Sequence, residues 1–272
     1  MGTVREAGTV CSAARISVRN LTLRYGSASK PTLDQVNLDV DSGQMVALIG
    51  ANGAGKSSLL RSMVRLVEPT AGTVSIGEHD VTNAGRTKLR AIRRDVGFVF
   101  QHFNLVTRLT AFDNVLQGGI AKQSRRCVVP AFAPGEARRR AMEYLDRAGL
   151  AEFAQRRVDT LSGGQQQRVA IARVLMQEPK VILADEPVAS LDPVSGEAVM
   201  GLLHSVAAER GITVVAALHH IDLAVRYTER IVGLRGGRVS LDIASRDCVV
   251  DELSVIYSND PASPALAMAP ML

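Results

Sequence analysis

The run Gly50-Ala51-Asn52-Gly53-Ala54-Gly55-Lys56-Ser57 limits what this chain can fold into. It reads G-x-x-x-x-G-K-S. Before it lies a continuously apolar stretch, Met45–Ile49; after it, Leu59, Leu60, Met63, Val64 and Val67 recur at helical spacing. A strand that passes through a glycine turn into a helix makes an anion cradle. The glycines let the backbone curl until successive N–H groups point inward, and the helix adds the positive end of its dipole. Lys56 would reach the β- and γ-phosphates of a nucleotide as a point charge, and the Ser57 hydroxyl would ligate Mg²⁺. The pattern points to ATP or GTP.

A second element has the same orientation. Val181-Ile182-Leu183-Ala184 is apolar enough for a strand buried on both faces, and it ends in Asp185-Glu186. Ligands of such sheets bind beyond the carboxyl ends of the strands, which is where these two carboxylates fall. Asp185 would hold Mg²⁺, and Glu186 would stand where water attacks the γ-phosphate, as general base. An Asp-Glu pair can also simply terminate a strand; the phosphate cradle gives this one a task. Leu161-Ser162-Gly163-Gly164-Gln165 opens a helix that continues through Gln166, Gln167, Arg168 and Val169. Ser162 is a natural N-cap, and two glycines leave backbone N–H groups exposed. This reads equally as a second anion-binding helix end and as an ordinary capped start.

Elsewhere the chain alternates strands and helices. Ile16, Val18, Leu21, Leu23 and Tyr25 read as a strand with an irregularity near Asn20, and Val36, Leu38 and Val40 as its antiparallel partner. Val96–Phe100 is a short buried run. Residues 102–160 turn helical and lack buried strands, so they read as an inserted subdomain; Thr110 caps toward Asp113, and a helix from about Glu136 stops at Gly149. The alternation then resumes with a helix to about Gln177, strand Val181–Asp185, a helix to Glu209, strand Thr213–Leu218 and another helix. Ile231–Leu234 and Val239–Leu241 flank Gly236-Gly237 as a closing hairpin. A mainly parallel sheet follows from this order. Residues 1–14 and 258–272 are expected to be disordered extensions.

Composition narrows the class. The chain has 272 residues, and 46% of them are hydrophobic, enough for a sizeable core. No apolar stretch approaches the length of a membrane span, and the start shows no secretory signal. Cys11, Cys127 and Cys248 are scattered, which argues against a disulfide framework and for a reducing compartment. The 32 basic residues exceed the 27 acidic ones by five. The excess gathers at Arg90, Arg93 and Arg94, at Arg125 and Arg126, at Arg138–Arg140, and at Arg156 and Arg157. These read as solvated helix faces; few aromatics interleave them, so nucleic acid is not the expected partner.

With these residues in place, the chain from about 16 to 257 resembles the ATP-binding cassette (ABC) ATPases, whose signature is LSGGQ. The resemblance implies a P-loop NTPase core, a mixed sheet flanked by helices, with an antiparallel β subdomain and an inserted α-helical subdomain; residues 15–257 would be the ATPase domain. It implies that Ser162, Gly163, Gly164 and Gln165 of one copy close over the γ-phosphate held by a second copy, head to tail. Tyr25 falls where an aromatic stacks on adenine. Gln101 falls where a glutamine couples Mg²⁺ and γ-phosphate to the helical subdomain. Ser190-Leu191-Asp192 matches the loop that meets the other copy. His219 matches the histidine that contacts the γ-phosphate, with His220 beside it as the alternative. Ser58 stands where Thr is commoner.

A cassette without a membrane domain resembles an importer subunit, which implies separate permease chains and, indirectly, a solute-binding protein, on the cytoplasmic face of the membrane. The helical subdomain near Phe103–Val115 would dock the permease. Gln101–Thr110, Asn114–Leu116, Arg156–Pro193 and Leu218–Leu234 look like the phosphonate importer cassettes, whereas His102, Gly119 and His220 depart from that pattern. Phosphite, phosphate esters, amino acids or methionine remain open as cargo. So do a soluble ATPase of a phosphonate-metabolising complex and an exporter or lipoprotein-release role.

Overall fold

Strand β1 (Ile16–Leu23) is the first element among the described residues, and β2 (Leu33–Val40) pairs with it antiparallel, its inward residues buried. The computed structural model describes residues 13–26, 30–122 and 124–248; the expectations for the two chain ends fall almost entirely outside them. The register between β1 and β2 slips between Val18 and Leu21, where Asn20 takes φ 48°. That slip is the irregularity read from the sequence.

Strand β3 (Met45–Ile49) leads into helix α1 (Lys56–Met63). The helix stops one turn short of the Val67 that its apolar spacing suggests. Arg65 adopts φ 51°, and its guanidinium is captured by the carbonyls of Val81, Thr82 and Ala84. A tertiary contact thus overrides local periodicity. Strands β4 (Ala71–Ile76) and β5 (His79–Asp80) and helix α2 (Arg86–Asp95) follow, and sequence patterning missed all three. Strand β4 adds to the free edge of β1, giving a four-stranded antiparallel sheet in the order β2-β1-β4-β5.

Strand β6 (Val96–Val99) enters the larger sheet. Helix α3 (Ala111–Gly118), two short 3-10 turns over Arg125–Val128 and Pro130–Phe132, and helix α4 (Gly135–Arg147) make up the insertion. Thr110 caps α3 by accepting from the Asp113 amide at 3.0 Å. Then come α5 (Gly163–Met176), β7 (Val181–Asp185), α6 (Pro193–Arg210), β8 (Thr213–Ala217), α7 (Ile221–Tyr227), β9 (Arg230–Arg235) and β10 (Arg238–Ala244). Among the described residues no helix is long and apolar enough to cross a membrane.

The larger sheet has the order β10-β9-β3-β8-β7-β6, all parallel except the β9–β10 hairpin. Its central strands alternate between two cores. Met45, Ala47 and Ile49 face the helical side with Ile182, Ala184, Val214 and Ala216. Val46 and Leu48 face the antiparallel sheet and α1, with Leu183, Val215 and Ala217. Because both faces are covered, these strands read as unbroken apolar runs. The insertion packs α3 and α4 against α5, so the helical layer as a packing unit extends past residue 160.

Gly118 lies where α3 packs tightly on α5; a Cβ there would overlap the Arg173 carbonyl oxygen and press on Met176. Gly118→Ala should therefore cost about 1–3 kcal/mol despite its gain in helix propensity. Urea denaturation of the variant against the parent measures this.

Candidate functional site

The loop between β3 and α1 has the shape its glycines allow. Gly50, Gly53 and Gly55 take φ of 151°, 78° and 107°, and a Cβ on Gly55 would stand 2.8 Å from Leu33 Cδ2 and 2.9 Å from the Thr32 carbonyl oxygen. Helix α1 has no side-chain cap and no acidic residue in its first turn, so the positive end of its dipole faces the loop uncompensated. Lys56 is buried, and its Nζ donates to the carbonyls of Gly50 at 2.7 Å and Ala51 at 3.2 Å. The Ala54 amide closes the turn that follows by donating to the Ala51 carbonyl at 3.1 Å. Tyr25 lies just past β1, nearly half exposed, with its hydroxyl 3.2 Å from Ser58 Oγ in the first turn of α1. An aromatic face therefore borders the same cradle.

The parallel register assembles the carboxylate end. Asp185 pairs with Ala217 across β7 and β8, so the next residues of both strands emerge together. Glu186 turns off at φ 50°, an uncommon backbone state for a glutamate, and accepts a 2.7 Å hydrogen bond from His219 Nε2. That bond first, together with the charges of Lys56 and Arg61, holds the Glu186 carboxyl below its ordinary value against the opposing effect of burial. The carboxylate stays ionised at neutral pH, the form a general base requires. His220 points elsewhere: it is exposed and precedes α7 without capping it. Of the two histidines, His219 is the one brought to the site.

Asp185 is fully buried. Its Oδ2 accepts from Arg61 Nη2 at 3.0 Å, while Oδ1 is buried without a hydrogen-bond partner. A buried carboxylate oxygen without a protein donor suits a hydrated cation, and Ser57 supplies a hydroxyl at the adjacent helix start. The residues present fit a hard divalent ion. Gln101 lies half-buried just past β6, whose Val99 pairs with Ala184 one residue before Asp185.

Ser162–Gln165 lies elsewhere, at the start of α5. Ser162 Oγ accepts from the Gln165 amide, and Gln165 Oε1 accepts from the Ser162 amide, a complete capping box. Gly163 packs near Leu191, and a Cβ on Gly164 would come within 2.6 Å of Ser195 Oγ at the start of α6. Asp192 caps α6 by accepting from the Ser195 amide. Within one chain, then, the LSGGQ segment joins the Ser190–Asp192 loop, while the phosphate cradle belongs to the sheet.

A groove of about 730 Å³ lies between α2, β6, α3 and α5. Arg90, Arg93, Arg94, Arg125 and Arg173 line it together with Phe98 and Phe100, and no acidic side chain does. The arginines are therefore not all the solvated faces that their clustering suggests. Arg93 donates to the carbonyls of Val64 and Arg65, and the partly buried Arg173 to those of Phe103 and Asn104. Arg139 and Arg140 do match the expectation, pairing with Glu136 on an exposed helix face.

Comparison with known proteins now decides the family. Residues 33–189 match the family model described as ABC transporter. The chain belongs to the ABC transporter family. It is of the ATP-hydrolysing cassette type. A protein of Mycolicibacterium smegmatis named phosphate-import ATP-binding protein PhnC is 48% identical over 248 residues, 91% of this chain and 94% of that one. One of Ruegeria sp. named phosphonates import ATP-binding protein PhnC 1 is 44% identical over 247 residues, covering 91% and 96%. Among solved structures, the dimeric bacterial ABC transporter cassette MJ0796 is similar with a TM-score of 0.76 at 41% identity, covering 86% of this chain and all of that one. The same cassette in a post-hydrolysis state bound to ADP and Pi matches with a TM-score of 0.75 at 39% identity, with the same coverage.

Two groups on this side of the cassette escaped sequence reading, Arg61 and Arg173. Each acts through a partner about 70 or more residues away, 124 in the case of Arg61, so no local spacing marks them. Lys56→Ala should abolish measurable ATP affinity while leaving the fold intact, since its hydrogen bonds to the Gly50 and Ala51 carbonyls join it to the turn and not to the core. Calorimetric titration with ATP, read beside the circular dichroism spectrum, checks it.

Proposed function

We propose that this chain is the ATP-hydrolysing subunit of an importer for phosphonates. Two copies would meet head to tail on separate permease chains at the cytoplasmic face of the membrane, peripherally, and a solute-binding protein would deliver the cargo. The observation that carries the reading is identity of 44% and 48%, over 91% and 87% of the chain, to proteins named for phosphonate import. The dimeric cassettes it resembles support the pairing of two copies.

In this reading Tyr25 stacks on adenine, the amides from Gly50 to Ser58 cradle the phosphates, and Lys56 meets the β- and γ-oxygens. Mg²⁺, held by Ser57, Gln101 and Asp185, would supply positive charge against that of the phosphates. The Glu186 carboxylate takes a proton from the water that attacks the γ-phosphorus, and the bond from that phosphorus to the leaving ADP oxygen breaks. His219, hydrogen-bonded to Glu186, would also reach the γ-phosphate oxygens. The Ser162–Gln165 helix start of the second copy closes over the same phosphate, so two complete sites exist only in the dimer. Closure would drive alternating access, and hydrolysis would reset it.

The arginine-lined groove fits an acidic, partly apolar permease segment. Arg173 supports it as the route to the nucleotide, because its guanidinium in the groove grips the loop directly after Gln101. This widens the expected docking segment, Phe103–Val115, to include α2 and β6.

Glu186→Gln should bind ATP yet turn over about 10²–10⁴-fold more slowly and accumulate as a closed dimer, seen by size-exclusion chromatography with ATP. Wild-type turnover would remove Glu186 from the base role. A strain lacking this chain should fail to grow on methylphosphonate or aminoethylphosphonate as sole phosphorus source and grow on phosphate. Rescue should come from wild type and not from Glu186→Gln. The relative named for phosphate import favours a second reading, and failure on limiting phosphate alone would establish it.

A further inference from the structure

Arg61 of α1 reaches across to the larger sheet. Its guanidinium crosses to β7 and donates from Nη2 to Asp185 Oδ2 at 3.0 Å, although its own side chain stays 43% exposed. The Asp185 carboxylate is fully buried, so its rotation is set by whatever binds it. Arg61 takes one oxygen. The other, Oδ1, is buried and has no hydrogen-bond partner. The same guanidinium charge also helps to keep Glu186, the next residue, ionised.

We propose that Arg61 is a positioning residue for the divalent cation. By occupying Oδ2 it fixes the plane of the Asp185 carboxylate and leaves Oδ1 as the acceptor offered to the hydrated ion that accompanies the nucleotide. The proposal rests on the reading of Asp185 as a metal-holding residue. Groups that orient a metal-ligating carboxylate affect affinity strongly even though they never touch the ion; their removal typically costs 10–100-fold. A cation at Arg61 could instead serve only to neutralise a buried charge. The two roles differ in what a lysine can do. Lysine keeps the charge but lacks the planar guanidinium that fixes a carboxylate oxygen in direction.

The test uses Mn²⁺ as probe on the full chain carrying Glu186→Gln, saturated with ATP, with protein-bound Mn²⁺ followed by electron paramagnetic resonance. Arg61→Ala should weaken Mn²⁺ binding about tenfold or more, and Arg61→Lys should recover only part of the loss. Affinity for ATP in excess chelator should be unchanged in both. Unchanged or tighter Mn²⁺ binding in the variants would overturn the proposal, as would full recovery by lysine or an equal loss of metal-free ATP affinity. Melting temperatures report folding, and if the alanine variant does not fold, Arg61→Lys alone decides, by the same partial loss or none. Asp185→Asn separates the two levels of the argument. If it weakens Mn²⁺ binding while the Arg61 variants do not, only the Arg61 role falls. If it has no effect, the reading of Asp185 falls as well.

Discussion

The parallel hydrogen-bonded ladder of β3, β8 and β7 fixes everything that follows. It sets which residues arrive together at one edge of the sheet: the loop after Ile49, the Asp185-Glu186 pair and His219. A slip of one residue along β7 would turn Asp185 to the opposite face and carry Glu186 away from His219. Such a slip is resisted because both faces are packed, with Ile182 and Ala184 in one core and Val181 and Leu183 in the other. The chemistry at the strand ends is thus held by apolar side chains that take no part in it.

Positive charge is the second theme, and it is distributed by depth. Lys56 is buried inside the cradle, Arg61 reaches a buried carboxylate from a half-exposed stem, and the groove arginines face the helical side. A nucleotide carries several negative charges in a small volume. In the proposed reading, Lys56, the α1 N-terminus and a divalent cation would together neutralise them without drawing in bulk water, a setting in which one carboxylate can remain ionised and basic.

The parts legible in the sequence are those where local physics and tertiary structure agree. The cradle could be read because Met45–Ile49 is uniformly apolar and only glycines tolerate the dihedral angles that follow. The Gly236-Gly237 hairpin and the Thr110 and Ser162 caps were legible for the same reason. Strand β4 was not, because Ala71-Gly72-Thr73-Val74 has little β-forming weight of its own and depends on the edge of β1. Helix α2 presents only Leu89 and Ile92 to the core among basic residues, too few for periodicity to register. The partners of Arg61, Arg173 and Glu186 lie 33 to 124 residues away, and their meeting is a property of topology.

The contact between Gly164 and Ser195 has a consequence for how such a chain can change over time. With only 2.6 Å between the serine oxygen and the place a Cβ would take, the starts of α5 and α6 share one volume. Neither position can drift alone: bulk gained at 164 must be surrendered at 195, and a chain with serine there retains glycine opposite. The same absence of clearance makes the junction a gear without backlash. The start of α5 is thus fitted directly against the start of α6, the helix that the Ser190–Asp192 loop leads into.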